Sequence, residues 1–391
     1  MLIGARVRAA LESNRDAFQR SAMESAASRQ RYARAFAEAA HLTAGEIEDR
    51  LGGVPWPGAR PSAEWNGNGA IARFDQELKT AREAREWAMA RLSGVTTVAV
   101  DGSQIAASKE AGVPVSLVQV AWFENPHHPA LRYVKDIRNE LLTPDEPPED
   151  HGDPDIFADS RLFQRRFALE LECAVACVQR LAPTPSPVVF VDGTFVLSFT
   201  SRMVAAAREA YFTALFELLD AAARHRIPVV GYIDTSYATD LVTMLRHSFD
   251  LPPPLTSDAS LLASLMLPFD RTIALQCARG DVLPRYRTEA HDYSQDLFFV
   301  YLQVGAGRLP ARVDFPRWVL DDGLLDHVLD IIRAEVVVGS GYPYALEAVD
   351  ATAVLTMDDR ANFYRLYHEF AGAAGLASAV PGKTLSKSRR R

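Results

Sequence analysis

The sequence predicts an α/β protein in which a mixed sheet is flanked by helices and preceded by a helical extension. Three observations carry this reading. Apolar, β-branched runs at 96–100, 188–191 and 227–233 each end at an Asp, the signature of short buried strands. Between 160 and 247 such runs alternate with long helical stretches, as in a parallel α/β layer. Residues 1–40 are rich in Ala, Arg, Glu and Ser with few Gly or Pro, which favours one or two long helices.

Taken in order, Pro55, Pro57, Pro61 and several Gly and Asn mark 52–69 as a loop, and helix is expected to resume over 70–92. The strand at 96–100 is expected to stop at Asp101-Gly102-Ser103, with a tight turn behind the carboxylate. Residues 113–123 carry a second strand pattern. After a loop with His127 and His128 between two prolines, 130–137 supply a third strand that returns alongside it. The acidic, proline-rich stretch 144–154 reads as a solvated connection. Residues 160–181 are strongly helical until Pro183, Pro185 and Pro187, and the next strand, 188–191, runs into Asp192-Gly193-Thr194. Helices fit 203–224 and 237–247, strands fit 227–233, 272–276, 297–304 and 312–315, and the end is helical over 321–335, 344–357 and 360–372. The sheet should therefore hold antiparallel strands early and parallel ones late. The expected division is a helical N-terminal extension over 1–94, a catalytic domain over 95–375 and a basic tail over 376–391.

Composition narrows the function. Of 391 residues 48% are hydrophobic and 24% charged, the balance of an ordinary globular protein, and no apolar run is long enough to span a bilayer. Closely spaced Arg and Glu in the first 20 residues leave no room for a secretory signal, so the expected location is the cytoplasm, with no membrane association. Cys173 and Cys177 lie among Ala and Val in a helical stretch and read as small core residues. Forty-two Lys and Arg against 50 Asp and Glu leave a formal charge of −8, which argues against coating nucleic acid by bulk charge. It is compatible with an enzyme whose carboxylates hold cations that in turn attract phosphate. The one basic cluster, Lys383, Lys387 and Arg389 to Arg391, reads as a solvated tail or as a transient DNA contact.

Candidate chemistry rests on carboxylates. Asp101 and Asp192 each follow an apolar strand and precede a Gly and a hydroxyl residue, which places both at a sheet edge where α/β proteins build sites. If their strands are neighbours, the two can converge on a hard cation; the alternative is that each caps its own turn. At about 100° per residue, Phe163, Phe167, Leu171, Ala174, Val178 and Leu181 form one helix face, and Glu170 falls within it while Glu172 points away. A charge on a core-facing stripe must be paired or bind a metal, and Arg166 one turn earlier offers the simpler pairing. Asp350 lies on the inward face marked by Leu346, Val349, Ala353 and Met357, where a backbone amide or an Arg is the competing partner. Tyr342 is either a site residue or an amphipathic wall residue. Asp234, before Thr235 and Ser236, is expected to cap the following helix.

In order and spacing, Val98-Ala99-Val100-Asp101-Gly102-Ser103, the Arg166/Glu170 helix, Phe190-Val191-Asp192-Gly193-Thr194, the region around Gly231-Tyr232-Ile233 and Gly341-Tyr342-Pro343-Tyr344-Ala345-Leu346 resemble the NurA nucleases. The resemblance runs over about 95–357. It implies an RNase H-like fold and metal-dependent DNA hydrolysis with Mn2+ or Mg2+, by 5′–3′ exonuclease and single-strand endonuclease action. It also implies a homodimer that works with a HerA-type hexameric ATPase in DNA end resection and double-strand-break repair. Residue by residue, it puts the metal on Asp101, Glu170 and Asp192 and a catalytic role on Tyr342. The family's usual His falls on Asp350, which can still bind the metal or its water but is no cationic donor near neutral pH. That departure keeps open a catalytically weak partner that only regulates a motor ATPase. A haloacid-dehalogenase-like phosphatase is disfavoured because Phe190 stands where its nucleophilic Asp is needed, and no Gly-x-x-x-x-Gly-Lys loop marks the chain as the motor itself.

Overall fold

The computed structural model describes residues 3–107, 115–143, 154–183 and 185–376, without the side chains of 154–159. The expected connection at 144–153 and the basic tail lie outside the described residues. In chain order the helices are α1 (Gly4–Ser13), α2 (Arg15–Ala39), α3 (Ala44–Leu51), α4 (Ala81–Leu92), α5 (Pro154–Arg180), α6 (Ala205–His225), α7 (Asp240–Ser248), α8 (Asp258–Leu262), α9 (Arg317–Asp321), α10 (Leu325–Val338), α11 (Tyr344–Ala353) and α12 (Met357–Ala373). The strands are β1 (Gly58–Pro61), β2 (Ile71–Ala72), β3 (Thr97–Ile105), β4 (Ser116–Asn125), β5 (Val134–Leu142), β6 (Val188–Asp192), β7 (Val229–Ile233), β8 (Arg271–Thr272), β9 (Leu275–Ala278), β10 (Leu297–Leu302) and β11 (Ala311–Pro316). No helix of the described residues is long and apolar enough to cross a membrane. Two compact units emerge: Met1–Lys79 with Gly193–Ser198 and Gly231–Leu325, and Thr80–Asp192 with Phe199–Val230 and Asp326–Arg391.

The second unit is built around β3. This strand runs antiparallel to β4 from Thr97↔Asn125 to Ile105↔Leu117 and parallel to β6 from Thr97↔Val188 to Val100↔Val191, while β5 returns antiparallel to β4. An antiparallel meander joined to a parallel strand, with helices packed on it, is the RNase H-like mixed sheet that the sequence predicts. Helices α5 and α11 both pack against β3 and β4. Side chains alternate along a strand, so Val98, Val100 and Gly102 share a face, and Gly102 there meets Glu170 of α5. Thr97, Ala99 and Asp101 share the other, where Thr97 bonds Glu335 of α10 and Gln119, opposite Ser103, donates to the Ala353 carbonyl of α11.

In the first unit β10 pairs with β8, β9 and β11, β1 with β9, and β11 with residues 231–233 of β7, every pairing antiparallel. The expectation of parallel strands in the later half therefore holds at β6 and fails beyond β7. β10 and β11 are joined by the short loop 303–310, which cannot make the crossover a parallel pair needs. The C-terminal half of α2 buries Tyr32, Ala35, Phe36 and Ala39 and packs against α7 and α8, and the Tyr32 hydroxyl donates to the Pro252 carbonyl at 2.6 Å.

Several boundaries differ from expectation for identifiable reasons. The helix expected over 70–92 begins only at Ala81, capped by Thr80, because 71–74 are held extended: β2 pairs with β8, and Asp270 takes Arg73 and the Phe74 amide. The 52–69 loop contains β1, and α3 was overlooked despite its Thr43/Glu46 capping box. Asp234 does not cap α7, whose first amides, Leu241 and Val242, donate to Asp258 instead. The helix expected over 321–335 breaks at Gly323, whose φ of 70° suits Gly. Cys173 and Cys177 are free and buried.

Candidate active site

Asp101 is not the residue after a strand but the fifth of nine in β3, paired with Ala121 of β4. What ends at Val100 is the parallel pairing with β6. Asp192 is the last residue of β6. Both Asp residues thus stand one step beyond the Val100↔Val191 pair, side by side on neighbouring strands about 4.8 Å apart. Where paired backbones diverge, side chains that point the same way line the opening.

Glu170 reaches this place from α5. Gly102 is buried, and a Cβ there would come within 2.4 Å of Glu170 Oε1 and 3.1 Å of Arg166 Cγ. The Gly of Asp-Gly-Ser is therefore required by the close approach of a helix, not by a turn. Glu170 is 18% exposed, and Arg166 Nε stands 3.5 Å from its Oε1 while Arg166 also donates to the Gly102 carbonyl at 3.2 Å. Burial pushes the Glu170 carboxyl up to about 7; Arg166 opposes this, and the charges of Asp101 and Asp192 add to it. The Asp101 carboxyl is also raised, by burial first, against the Gly102 amide and Arg166 and with a contribution from Asp350. Glu172 differs: it pairs with Arg165 and Arg138 on the outer side of α5.

Glu170 and Asp101 thus both lie in the field of Arg166, while Asp101 and Asp192 act on Glu170 and Asp350 acts on Asp101. The structure does not gather them fully: among the described residues no three His, Cys, Asp or Glu side chains stand close enough to hold one ion. Asp101 and Glu170 approach from opposite faces of the sheet, and Arg166 lies against the carboxylate a cation would take. In chemistry the donor set fits a hard divalent cation, being all carboxylate oxygen, and the Arg166 guanidinium is the cation beside Glu170. Arg166 Nε is buried without a hydrogen bond, so its hold is electrostatic.

The remaining residues are placed less as expected. Asp350 is exposed while Leu346, Val349 and Ala353 are buried, so it lies at the edge of the inward face of α11 rather than on it. Met357 belongs to α12 and is 80% exposed, and Phe163 is exposed as well. Tyr342 is half-buried in the turn between α10 and α11. Glu335 was missed: it is buried at 1% exposure, accepts from the Thr97 hydroxyl at 2.7 Å and the Ala345 amide at 2.9 Å, and has His127 Nε2 at 3.6 Å. The wheel test applied to Glu170 would have found it, since it follows Val328, Ile331 and Ile332 by seven, four and three residues, all buried.

Two Asp in adjacent register where β3 and β6 part, with Glu170 beside them on α5, give this α/β domain a candidate carboxylate site. The chain belongs to the NurA family of nucleases, whose NurA domain matches residues 95–355. Among solved structures it is similar to the NurA nuclease from Sulfolobus solfataricus at 14% identity, over 72% of this chain and 85% of that one, with a TM-score of 0.48. It is also similar to NurA bound to dAMP and manganese at 9% identity, over 68% and 85%, with a TM-score of 0.36. The catalytic domain of human endonuclease V follows at 13% identity, over 79% and 93%, with a TM-score of 0.34. No curated protein matches the chain.

Proposed function

We propose that this nuclease is a divalent-metal-dependent deoxyribonuclease whose metal is held by Asp101, Glu170 and Asp192, with Asp350 at the rim. The observation that carries this is the adjacent register of Asp101 and Asp192 at the point where β3 and β6 part, beside a Glu170 carboxyl at about 7. Mn2+, or Mg2+ in its place, would neutralise charge on the phosphodiester and acidify a water. The chain's own residues do the rest. Asp101 and Asp192 would hold the ion where β3 and β6 part, Glu170 would close the cluster from α5, and Arg166 would be the cation beside them to meet a phosphate oxygen. Tyr342 orients the phosphate or the water.

The family membership supports a wider reading. The enzyme acts in the cytoplasm on single-stranded DNA and duplex ends, as 5′–3′ exonuclease and single-strand endonuclease. It works as a homodimer with a HerA-type hexameric ATPase in end resection and double-strand-break repair. In this reading 95–375 form the nuclease domain, 1–94 an extension and 376–391 a DNA-touching tail. Asp350 in place of the family's usual His favours the second reading, a catalytically weak partner of a motor ATPase. Cleavage of end-labelled single-stranded and duplex DNA with Mn2+ separates the two. The first requires cleavage that Asp101→Ala and Asp192→Ala abolish; an inactive parent that still activates the ATPase supports the second.

A further inference from the structure

Helix α11, which carries Asp350 and follows Tyr342, has no cap of its own: its N-cap is Pro343, with no side-chain hydrogen bond. The exposed amides of its first turn would be costly left bare in a buried setting. Glu335, from the preceding helix, supplies the missing acceptor. One carboxylate oxygen takes the Ala345 amide at 2.9 Å, an anion at a helix N-terminus. The other takes the Thr97 hydroxyl at 2.7 Å, four residues before Asp101 on the same face of β3. His127 borders the carboxylate at 3.6 Å, its Nδ1 donating to the Val95 carbonyl at 2.8 Å, which ties the β4–β5 loop to the same point.

Two features show that this end of α11 is held rather than merely packed. The turn before it is tight: a Cβ on Gly339 would come within 2.0 Å of the Tyr342 carbonyl, and Ser340 takes a φ of 57°. The far end of α11 is held as well, by Gln119 of β4 donating to the Ala353 carbonyl at 3.1 Å. Asp350 lies between these two anchors.

We infer that Glu335 is a positioning residue of the active site: bonded at once to Thr97 and the Ala345 amide, it sets α11, and with it Tyr342 and Asp350, against the strand that presents Asp101. The inference rests on the nuclease reading for its consequence but not for its geometry. Small misplacements of supporting groups cost more in turnover than in binding. Glu335→Gln keeps the shape and one acceptor, and Thr97→Val removes the strand side of the clamp without changing volume, so both should fold. Expected in Thr97→Val is a fall in kcat of about tenfold with KM for DNA unchanged, and a smaller fall in Glu335→Gln. Faster hydrogen exchange at the Ala345 amide should accompany both. Parent-like exchange at Ala345 in both variants overturns the clamp, and so does a loss of stability with kcat untouched. If the parent itself cleaves no DNA, the nuclease reading falls, while Ala345 exchange still decides whether Glu335 holds α11.

Discussion

Both units bury carboxylates, and the contrast lies in what meets them. In the first, Asp240 is bonded by Arg279 and Arg312, Asp314 by Arg312, the Thr194 hydroxyl and the Phe195 amide, and Asp258 by the Leu241 and Val242 amides and the Tyr301 hydroxyl. Arg312 also lies over the Phe299 ring, 4.0 Å from its centroid. In the second, Asp101 and Glu170 are the acids drawn out of water, and both lie in the field of Arg166, which reaches Glu170 at 3.5 Å. A raised pKa does not separate the two groups, since burial and Asp240 push Asp258 up to about 7, the value burial gives Glu170. Donor supply does. Acids with a full set of donors hold the fold together, and acids that crowd around one loosely bound cation are set up to exchange it for another.

The largest effect that tests this contrast is on stability. Arg312→Ala strips the buried cation from both Asp240 and Asp314, and removing one partner of a buried pair costs about 3–5 kcal/mol. Urea unfolding should show that loss. The opposite is expected of Asp101→Ala and Asp192→Ala: burial and Asp350 raise the Asp101 carboxyl beyond what the Gly102 amide and Arg166 offset, and both acids push on Glu170. The unfolding midpoints of both variants should stay level or rise, while Mn2+-dependent cleavage falls by about 10³-fold, the several kcal/mol a catalytic cation supplies. A fall in stability matching that of Arg312→Ala would erase the distinction between the two regions.

How much of this was legible follows from which interactions are local. The apolar, β-branched character of 96–100 and 188–191 and the wheel position of Glu170 are properties of a few adjacent residues, and they singled out Asp101, Asp192 and Glu170, the last of which feels the charge of the other two. The length of β3 was hidden because it depends on pairing with β4, a partner that a run of adjacent residues does not reveal. For the same reason Gly102 read as a turn residue: its need arises from a helix more than sixty residues away. Asp350 was put on the inward face because a wheel cannot tell the centre of a buried stripe from its edge. The antiparallel pairing of β10 with β11 is set by a loop length that the apolar pattern does not encode.

A smaller effect concerns pH. The Glu170 carboxyl lies at about 7 in the folded chain against an ordinary 4.5. Below 4.5 it is protonated folded and unfolded alike. Above that the unfolded chain ionises first, so its share of stability drains as pH rises from about 4.5 through about 7 and is gone beyond. Metal-free Glu170→Gln should therefore match the parent at low pH and exceed it above about pH 7 by about 1–3 kcal/mol. Mn2+ should close the gap by stabilising the parent alone, about 2.7 kcal/mol at a hundredfold excess over Kd. A parent curve parallel to that of Glu170→Gln across this range would mean that Arg166 already pairs with Glu170 as tightly as Arg312 does with Asp314.

The smallest effect is assigned to Asp350. It is exposed, so its charge acts on Asp101 partly through water, where such interactions are worth about 0–1 kcal/mol. Its contribution to the Asp101 carboxyl is upward, behind burial. Asp350→Asn should lower the Asp101 pKa, visible in a carboxyl-carbon NMR titration of the metal-free protein, and change cleavage by less than about fivefold. That shift should weaken at high salt, because an exposed charge is screened, whereas the effect of Glu170→Gln on stability should barely respond. Were Asp350→Asn instead to abolish cleavage as Asp101→Ala does, Asp350 would be a full member of the cluster, and α11 would have to move inward when the ion binds.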